Sequence, residues 1–176
     1  FDERGQGNGK LRPAGPLREP LSRLNTVDAV LCSNVSTARL SDALKLPAQP
    51  NWYSILVKLA GFRHLKSGQL LNIEQAQAQW KHGSVMAFTG IGNPEKLFQA
   101  LNASGILLQN TVGLPDHYNY PDNFCAQFDQ QVLITSGKDA VKLSASNPKV
   151  WVAEITVELP PALTQALEDC IGSTID

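Results

Sequence analysis

An aspartate and a histidine stand side by side in residues 114–118 (LPDHY). The imidazole of an ordinary histidine titrates close to neutral pH, so His117 could orient a carboxylate elsewhere or relay its proton. The segment follows a predicted strand, and open α/β sheets usually place their sites at the carboxyl ends of strands. A surface turn with no chemical role is the alternative, and the spacing leaves both interpretations open.

Two further segments could bind an anion. Residues 90–94 (GIGNP) follow an apolar run, and a proline at the start of the helix that they predict would leave backbone amides exposed there. Arg18 lies in a proline-framed loop, residues 11–20, and a guanidinium makes paired hydrogen bonds to phosphate. The alternatives are a tight strand-to-helix turn at 90–94 and a surface ion pair of Arg18 with Glu19 or another neighbour.

Other kinds of site are not indicated. A P-loop needs Gly, four residues and then Gly-Lys-Ser/Thr, whereas Lys10 and Lys138 are followed by Leu11 and Asp139. The sequence therefore predicts no ATP or magnesium site of this chain's own. The cysteines, at positions 32, 125 and 170, are too widely spaced for a zinc site or a disulfide framework. We expect Cys32 and Cys170 to pack in the core.

The composition is that of a globular protein. Of 176 residues, 43% are hydrophobic and 18% are charged, and the formal net charge is −1. Such a balance supplies no overall basic field, so we expect no nucleic-acid partner. No window approaches the apolar length of a membrane-spanning helix, and a signal-peptide pattern is lacking. The sequence starts with Phe1 and not with an initiator methionine, and its first residues resemble the end of a strand. We therefore predict that the chain is a fragment, and that the fragment is soluble.

Predicted strands alternate with predicted helices along the chain. This order predicts an α/β fold: a three-layer, Rossmann-like, mostly parallel sheet with helices on both faces, plus a two-stranded antiparallel element. We expect residues 1–26 to form a Gly/Pro-rich loop and short helix, and 27–176 to form the α/β domain. The predicted strands are Val27–Ser33, two within Trp52–Ile73, Val85–Thr89, Ile106–Val112, Val132–Thr135 and Val150–Val157. The predicted helices are Leu17–Leu24, Leu40–Pro50 (with a loop), Pro94–Ala103, Pro121–Gln130, Asp139–Leu143 and Pro160–Cys170.

Five segments, in order, resemble the carboxy-terminal half of the lipid A 4'-kinase (tetraacyldisaccharide 4'-kinase) family. The most specific lies within residues 4–20, where RGxGNG and PAGPLREP are similar to a long motif near the middle of the family's sequence. The other four follow in the family's order, at residues 27–30, 90–94, 115–117 and 138–142. Ser136-Gly137 stands where the family usually has Thr-Glu.

The resemblance implies a magnesium-dependent P-loop kinase at the cytoplasmic face of the bacterial inner membrane. Such an enzyme transfers the γ-phosphate of ATP to the 4'-hydroxyl of a tetraacyldisaccharide 1-phosphate, giving lipid IVA. The implied partners are this lipid disaccharide, the inner-membrane surface and an N-terminal kinase half, which in the family carries the P-loop and the catalytic aspartate. The chain alone is expected to be inactive. A non-catalytic binding module and a structural remnant of the family are the alternatives.

The resemblance also implies roles for individual residues. His117 matches the histidine that pairs with the upstream catalytic aspartate. Arg18 matches an arginine near the phosphorylated head of the substrate, and we group Asn8 with it as substrate-binding. Three further matches, which we expect to support the cleft, are Asp116, Asn93 and Lys138.

Overall fold

The computed structural model describes residues 1–38, 40, 51–129, 132–145 and 147–172. The chain forms two compact units, Phe1–Val57 with Val157–Asp176, and Lys58–Thr156. The predicted boundary after residue 26 falls inside the first of these units, and that division of the chain stays a prediction.

From the third strand onward, strands and helical segments alternate along the described residues. In chain order they are β1 (Ala29–Ser33), β2 (Asn51–His64), β3 (Leu70–Leu71), α1 (Ile73–Trp80), β4 (Val85–Thr89), α2 (Pro94–Ala103), β5 (Asn110–Gly113), β6 (Val132–Ser136), α3 (Gly137–Ala140), β7 (Val150–Glu158) and α4 (Pro161–Gly172). Short 3-10 helices occupy Leu21–Thr26 and Phe124–Gln127.

The second unit is built on parallel strands in the order β7-β6-β4-β5. Strand β4 is central, pairing in parallel with β5 on one side and β6 on the other, while β6 pairs in parallel with β7. Strand β3 pairs antiparallel with the end of β2, Phe62 lying opposite Leu71. The mostly parallel α/β sheet and its antiparallel pair are therefore confirmed.

Residues of β4 alternate between two hydrophobic clusters. Ala87 packs in one cluster with Trp80 of α1 and Leu101 of α2. Phe88 packs in the other with Phe124 of the second 3-10 helix. Because successive side chains of a strand point to opposite faces, α1 and α2 cover one face and the 3-10 helix covers the other. All five residues of β4 are buried, as is typical of a parallel strand covered on both sides.

The first unit has its own strand pair and core. Strand β1 runs parallel to the start of β2, from Ala29 opposite Asn51 to Ser33 opposite Ile55. Its core contains Val30 and Cys32, against which partly buried side chains such as Phe1 and Trp52 pack.

The prediction of two strands within Trp52–Ile73 is confirmed, although the two strands differ greatly in length. One strand of 14 residues, β2, is followed by the two-residue β3, and helix α1 begins at Ile73. Asn72 starts this helix because its side chain accepts a hydrogen bond from the Gln75 amide at 2.8 Å, while the Gln75 side chain accepts one from the Asn72 amide at 2.9 Å. This reciprocal capping box satisfies two amides that a helix end leaves free.

The prediction of a helix over Pro121–Gln130 is wrong. Only Phe124–Gln127 is helical among the described residues of this range, as a 3-10 turn, and Phe128 is already extended. The spacing of Phe124 and Phe128 instead serves an aromatic cluster, since their rings lie 5.3 Å apart in an edge-to-face arrangement.

Other boundaries differ from prediction by a few residues. The first helix is a 3-10 helix over Leu21–Thr26 instead of Leu17–Leu24, because Pro20 is extended and biases the residue before it away from helix. The predicted turn over Asp139–Leu143 starts earlier, at Gly137, where Ser136 caps α3. The helix and loop predicted for Leu40–Pro50 lie outside the described residues, except for Leu40 itself.

One cysteine is not where we expected it. Cys32 is buried, as predicted, but Cys170 is exposed near the end of α4, beyond the first turn in which Leu163 is buried. In the described part of the chain, no helix is both long and apolar enough to cross a bilayer. Within the same residues, no three His, Cys, Asp or Glu side chains are grouped as metal ligands would be.

Candidate active site

The carboxyl ends of β5, β4 and β6 lie next to one another in the second unit, because these strands are parallel neighbours. Residues 90–93, 114–118 and 137–138 follow these ends. Gly90 lies directly against the 114–118 loop: a Cβ at this position would be 2.9 Å from the Pro115 carbonyl oxygen and 3.3 Å from the Tyr118 Cβ. Only glycine fits this approach.

Asp116 and Lys138, both predicted to support the cleft, are brought together here. The Lys138 Nζ donates to Asp116 Oδ1 over 2.8 Å, and the same oxygen accepts the backbone amide of His117 at 3.1 Å. The hydrogen bond from Lys138 is the main cause that holds the pKa of Asp116 below its ordinary value. The ion pair therefore ties the loop that carries His117 to the start of α3.

His117 presents its ring to solvent. Its side chain is 78% exposed, and its Nε2 is 3.7 Å from Asp116 Oδ2, too far for a hydrogen bond. Its backbone has φ of 61°, in the left-handed region that non-glycine residues seldom occupy. An unusual backbone thus projects an imidazole whose nitrogens have no hydrogen bond to any other described residue, so the ring is available to an external group.

A buried carboxylate lies behind this surface. Asp139 has no exposed surface, and its Oδ2 accepts hydrogen bonds from Thr89 Oγ1 at 2.6 Å, Ser136 Oγ at 2.7 Å and the Gly90 amide at 3.0 Å. Burial by itself would raise the pKa of Asp139, but hydrogen bonding, chiefly from these three donors, outweighs it and the pKa is lowered. Asp139 is thus held as an anion between the ends of β4 and β6.

We expect acid to destabilise the second unit through Asp139. Its pKa is lower folded than unfolded, so the stabilisation is complete above the ordinary aspartate pKa of about 3.9 and is lost as pH falls through the folded value. Urea unfolding at a series of pH values, followed by the fluorescence of the core residues Trp80 and Trp151, measures this loss. Asp139→Asn should flatten the acid limb of the stability curve; parallel curves for both proteins would contradict the assignment.

Asn93 lies on the same edge, as the residue before α2. Its side chain neither caps the helix nor forms a hydrogen bond with any other described residue. Gly92 beside it faces open space. The first amides of α2 therefore receive no cap from the Asn93 side chain.

Asn8, predicted to bind substrate, lies in the first unit and is engaged within its own loop. Its Nδ2 donates to the Ala14 carbonyl at 2.9 Å, and its Oδ1 accepts the Lys10 amide at 3.1 Å. A Cβ at Gly15 would collide with Asn8 Oδ1 and with the Lys10 carbonyl. Asn8 therefore shapes the loop over residues 10–17, whatever further contact it makes.

Arg18, in the same loop, is exposed. The ion pair with Glu19 that we held as the alternative is not formed, since Glu19 pairs with Arg23 at 3.4 Å. Across the described ranges of the chain, no side chain forms a hydrogen bond or ion pair with the Arg18 guanidinium. Its five donors are accordingly available to a ligand.

Sequence reasoning assigned no role to the buried Thr89 and Asp139, or to the half-buried Ser136 and Lys142 that contact Asp139. One local signal was present: Ser136 stands three residues before Asp139, the spacing of a helix-capping pair. Ser136 does cap α3, accepting the Asp139 amide at 3.2 Å, in the place where we noted that the family usually has Thr-Glu.

Comparison with known proteins gives one family. The family model described as tetraacyldisaccharide-1-P 4'-kinase matches residues 1–172. The tetraacyldisaccharide 4'-kinase of Bordetella petrii is 36% identical over 170 residues, which are 95% of this chain and 48% of that protein. The same enzyme of Herminiimonas arsenicoxydans is 34% identical over 186 residues, covering 99% of this chain and 51% of that protein. The chain spans about half the length of the curated relatives it matches.

A solved structure shares the fold. It is LpxK from Aquifex aeolicus, determined in complex with ATP, with a TM-score of 0.65 and 20% sequence identity. The superposition covers 94% of this chain and 48% of that one.

Proposed function

The chain belongs to the tetraacyldisaccharide 4'-kinase family, and from this premise we propose that it supplies His117 to a phosphoryl-transfer site. In this proposal the whole protein moves the γ-phosphate of ATP to the 4'-hydroxyl of a tetraacyldisaccharide 1-phosphate, giving lipid IVA. It does so at the cytoplasmic face of the bacterial inner membrane, where this lipid is presented. ATP and magnesium are held by the other half of the family's length, because this chain's sequence has no P-loop.

The observation that carries the proposal is the presentation of His117. The loop bearing it is bonded to α3 through Asp116 and Lys138, so the backbone is held while the ring remains exposed. An imidazole in this state can hydrogen-bond a carboxylate brought by the other half of the protein. That carboxylate would accept the proton of the 4'-hydroxyl as the oxygen attacks phosphorus, and His117 would orient it and share the proton.

We assign Arg18 to the 1-phosphate of the lipid. Its exposed guanidinium is without a partner among the described residues, and a fork of N–H donors matches two phosphate oxygens. This assignment is separate from that of His117, since Arg18 lies in the first unit and His117 in the second.

The function is tested in a fusion protein in which the amino-terminal half of the Bordetella petrii relative precedes Phe1. With ATP and tetraacyldisaccharide 1-phosphate, we expect the fusion protein to form the 4'-phosphorylated lipid, identified by mass spectrometry, and this chain alone to form none. A fusion protein that binds both substrates without transferring phosphate would contradict the proposal. Lipid binding by the chain alone, with no transfer by the fusion protein, would favour a non-catalytic binding module.

Arg18→Ala in the fusion protein is expected to raise the KM for the lipid by about tenfold or more, because a charge-assisted hydrogen-bonded pair is worth roughly 1.5–3 kcal/mol. The KM for ATP should stay within about twofold. Arg12→Ala is the matched control, since Arg12 is an exposed arginine of the same loop. Equal losses with lipid and ATP, or an equal loss in Arg12→Ala, would remove Arg18 from the lipid site.

A further inference from the structure

Asp139 is a buried charge to which the proposed chemistry assigns no part. Its side chain is fully enclosed in the second unit. A buried carboxylate is costly unless it is paired and hydrogen-bonded, so its surroundings show what the charge holds in place. Those surroundings consist of three segments that end at the candidate site.

The first two segments are the ends of adjacent strands. Thr89 is the last residue of β4 and Gly90 follows it, and both donate to Asp139 Oδ2. Ser136, the last residue of β6, donates to the same oxygen. One carboxylate oxygen thus sets the distance between the two strand ends.

The third segment is the loop that carries His117. The Leu114 amide donates to the Thr89 carbonyl at 2.9 Å, at the residue whose hydroxyl binds Asp139. From the other side, Lys142 Nζ lies 3.7 Å from Asp139 Oδ1 and donates to the Tyr118 carbonyl at 3.3 Å. Both ends of residues 114–118 are therefore linked to Asp139 through one intermediate residue.

A further link runs through α3. Asp139 lies within this four-residue helix, next to Lys138, and Lys138 binds Asp116. Fixing α3 against β4 therefore fixes the lysine that holds the residue before His117. Four contacts thus hold the same loop. Gly90 packs against it, the Thr89 carbonyl accepts the Leu114 amide, and Lys142 and Lys138 bind Tyr118 and Asp116.

We propose that Asp139 is the positioning residue of the His117 loop, its buried charge setting residues 114–118 against β4 and α3. The inference rests on the proposed function only for the role of His117 in chemistry. The positioning itself is a property of this chain, and it is measured without any substrate.

The test is amide hydrogen exchange on the chain carrying Asp139→Asn, a substitution of nearly equal volume. We expect the Leu114 and Tyr118 amides to exchange about tenfold or more faster. Without the charge of Asp139, Thr89 and Lys142 are held less firmly, and these residues bind the Leu114 amide and the Tyr118 carbonyl at the two ends of the loop. Lys142→Met, which keeps the carboxylate, should accelerate Tyr118 more than Leu114. Leu101→Ala is the matched control, since Leu101 is fully buried in the cluster on the opposite face of the sheet and lowers stability without touching the loop.

Loop amides as protected in Asp139→Asn as in the unchanged chain would overturn the proposal. The same selective acceleration in Leu101→Ala would overturn it too, because the effect would then be general loss of stability. If Asp139→Asn does not fold, Lys142→Met decides the question: unchanged exchange at Tyr118 would count against the proposal.

Kinetics of the fusion protein separate this inference from the proposed function. If Asp139 acts through His117, Asp139→Asn lowers kcat by about tenfold in the presence of His117 and has no further effect in His117→Ala. Losses that multiply in the double variant would overturn the positioning role. If His117→Ala alone leaves kcat unchanged, the proposed function fails, while hydrogen exchange still decides whether Asp139 positions the loop.

Discussion

His117→Ala in the fusion protein is expected to lower kcat by about 10²-fold or more, the usual contribution of a positioned acid–base group. The ring makes no hydrogen bond to the described residues, so its removal leaves no buried partner unsatisfied and should cost little stability. The KM for ATP should change by less than about threefold, because the assigned role is in proton transfer and not in nucleotide binding. Steady-state turnover of both substrates measures the two parameters.

The control for this substitution preserves the backbone. Asparagine tolerates the left-handed conformation found at His117, so His117→Asn keeps the loop geometry but cannot relay a proton at neutral pH. Its kcat should fall as far as that of His117→Ala. His82→Ala, which removes another exposed histidine, should be close to the unchanged protein. Full activity in His117→Asn would mean that His117 contributes only the left-handed backbone conformation of the loop and no imidazole chemistry.

Gly90→Ala is expected to lower kcat by about 10- to 100-fold, because small displacements of a positioned group reduce rate strongly. The added Cβ would lie 2.9 Å from the Pro115 carbonyl oxygen, a backbone atom that can move only if the loop moves. The same crowding should destabilise the second unit by about 1–3 kcal/mol. Steady-state kinetics of the fusion protein and urea unfolding measure the two effects.

Gly92→Ala is the matched control, since a Cβ at Gly92 meets nothing within 4 Å. It changes the same turn, two residues away, and should leave both kcat and stability nearly unchanged. If the two substitutions reduce kcat equally, then flexibility of the turn matters and the contact between Gly90 and the 114–118 loop does not.

The strands and helices predicted best are those with strong local signals. Val85–Thr89 is a continuous apolar run and is found at the predicted residues. Pro94–Ala103 has a proline at its start and apolar residues along one face, and it too has the predicted bounds. In both elements the local pattern and the tertiary environment favour the same structure.

Other elements depend on contacts that no local pattern contains. Phe124 and Phe128 are spaced as on an α-helix, yet Phe124 lies in a 3-10 turn, Phe128 is extended, and their rings pack in an aromatic cluster. Helix α1 was missed because the apolar residues before it suggested a strand, although Asn72 and Gln75 have the spacing of a capping box. Where apolar spacing and capping residues predict different elements, tertiary packing decides which element forms and where it ends.

The candidate site divides in the same way. His117 and Arg18 were singled out from the sequence because their side chains suit proton transfer and phosphate binding, and both are exposed in the structure. Asp139 was not, because its significance depends on Thr89, fifty residues away in the sequence, which only the pairing of β4 with β6 brings near. Residues that support a site from within are recognised only in the folded structure, because their partners are distant in sequence. Residues that contact a ligand can be proposed from the chemistry of their side chains.

The most direct test of the central claim is whether substrates shield His117. In the fusion protein, diethyl pyrocarbonate should modify both His117 and the exposed His82, and peptide mass spectrometry reports the rate at each ring. With ATP and the lipid disaccharide bound, modification of His117 should slow by about tenfold or more while that of His82 stays constant, because only a ring inside the occupied cleft loses contact with solvent. An unchanged rate at His117 would place this histidine outside the cleft and contradict the account.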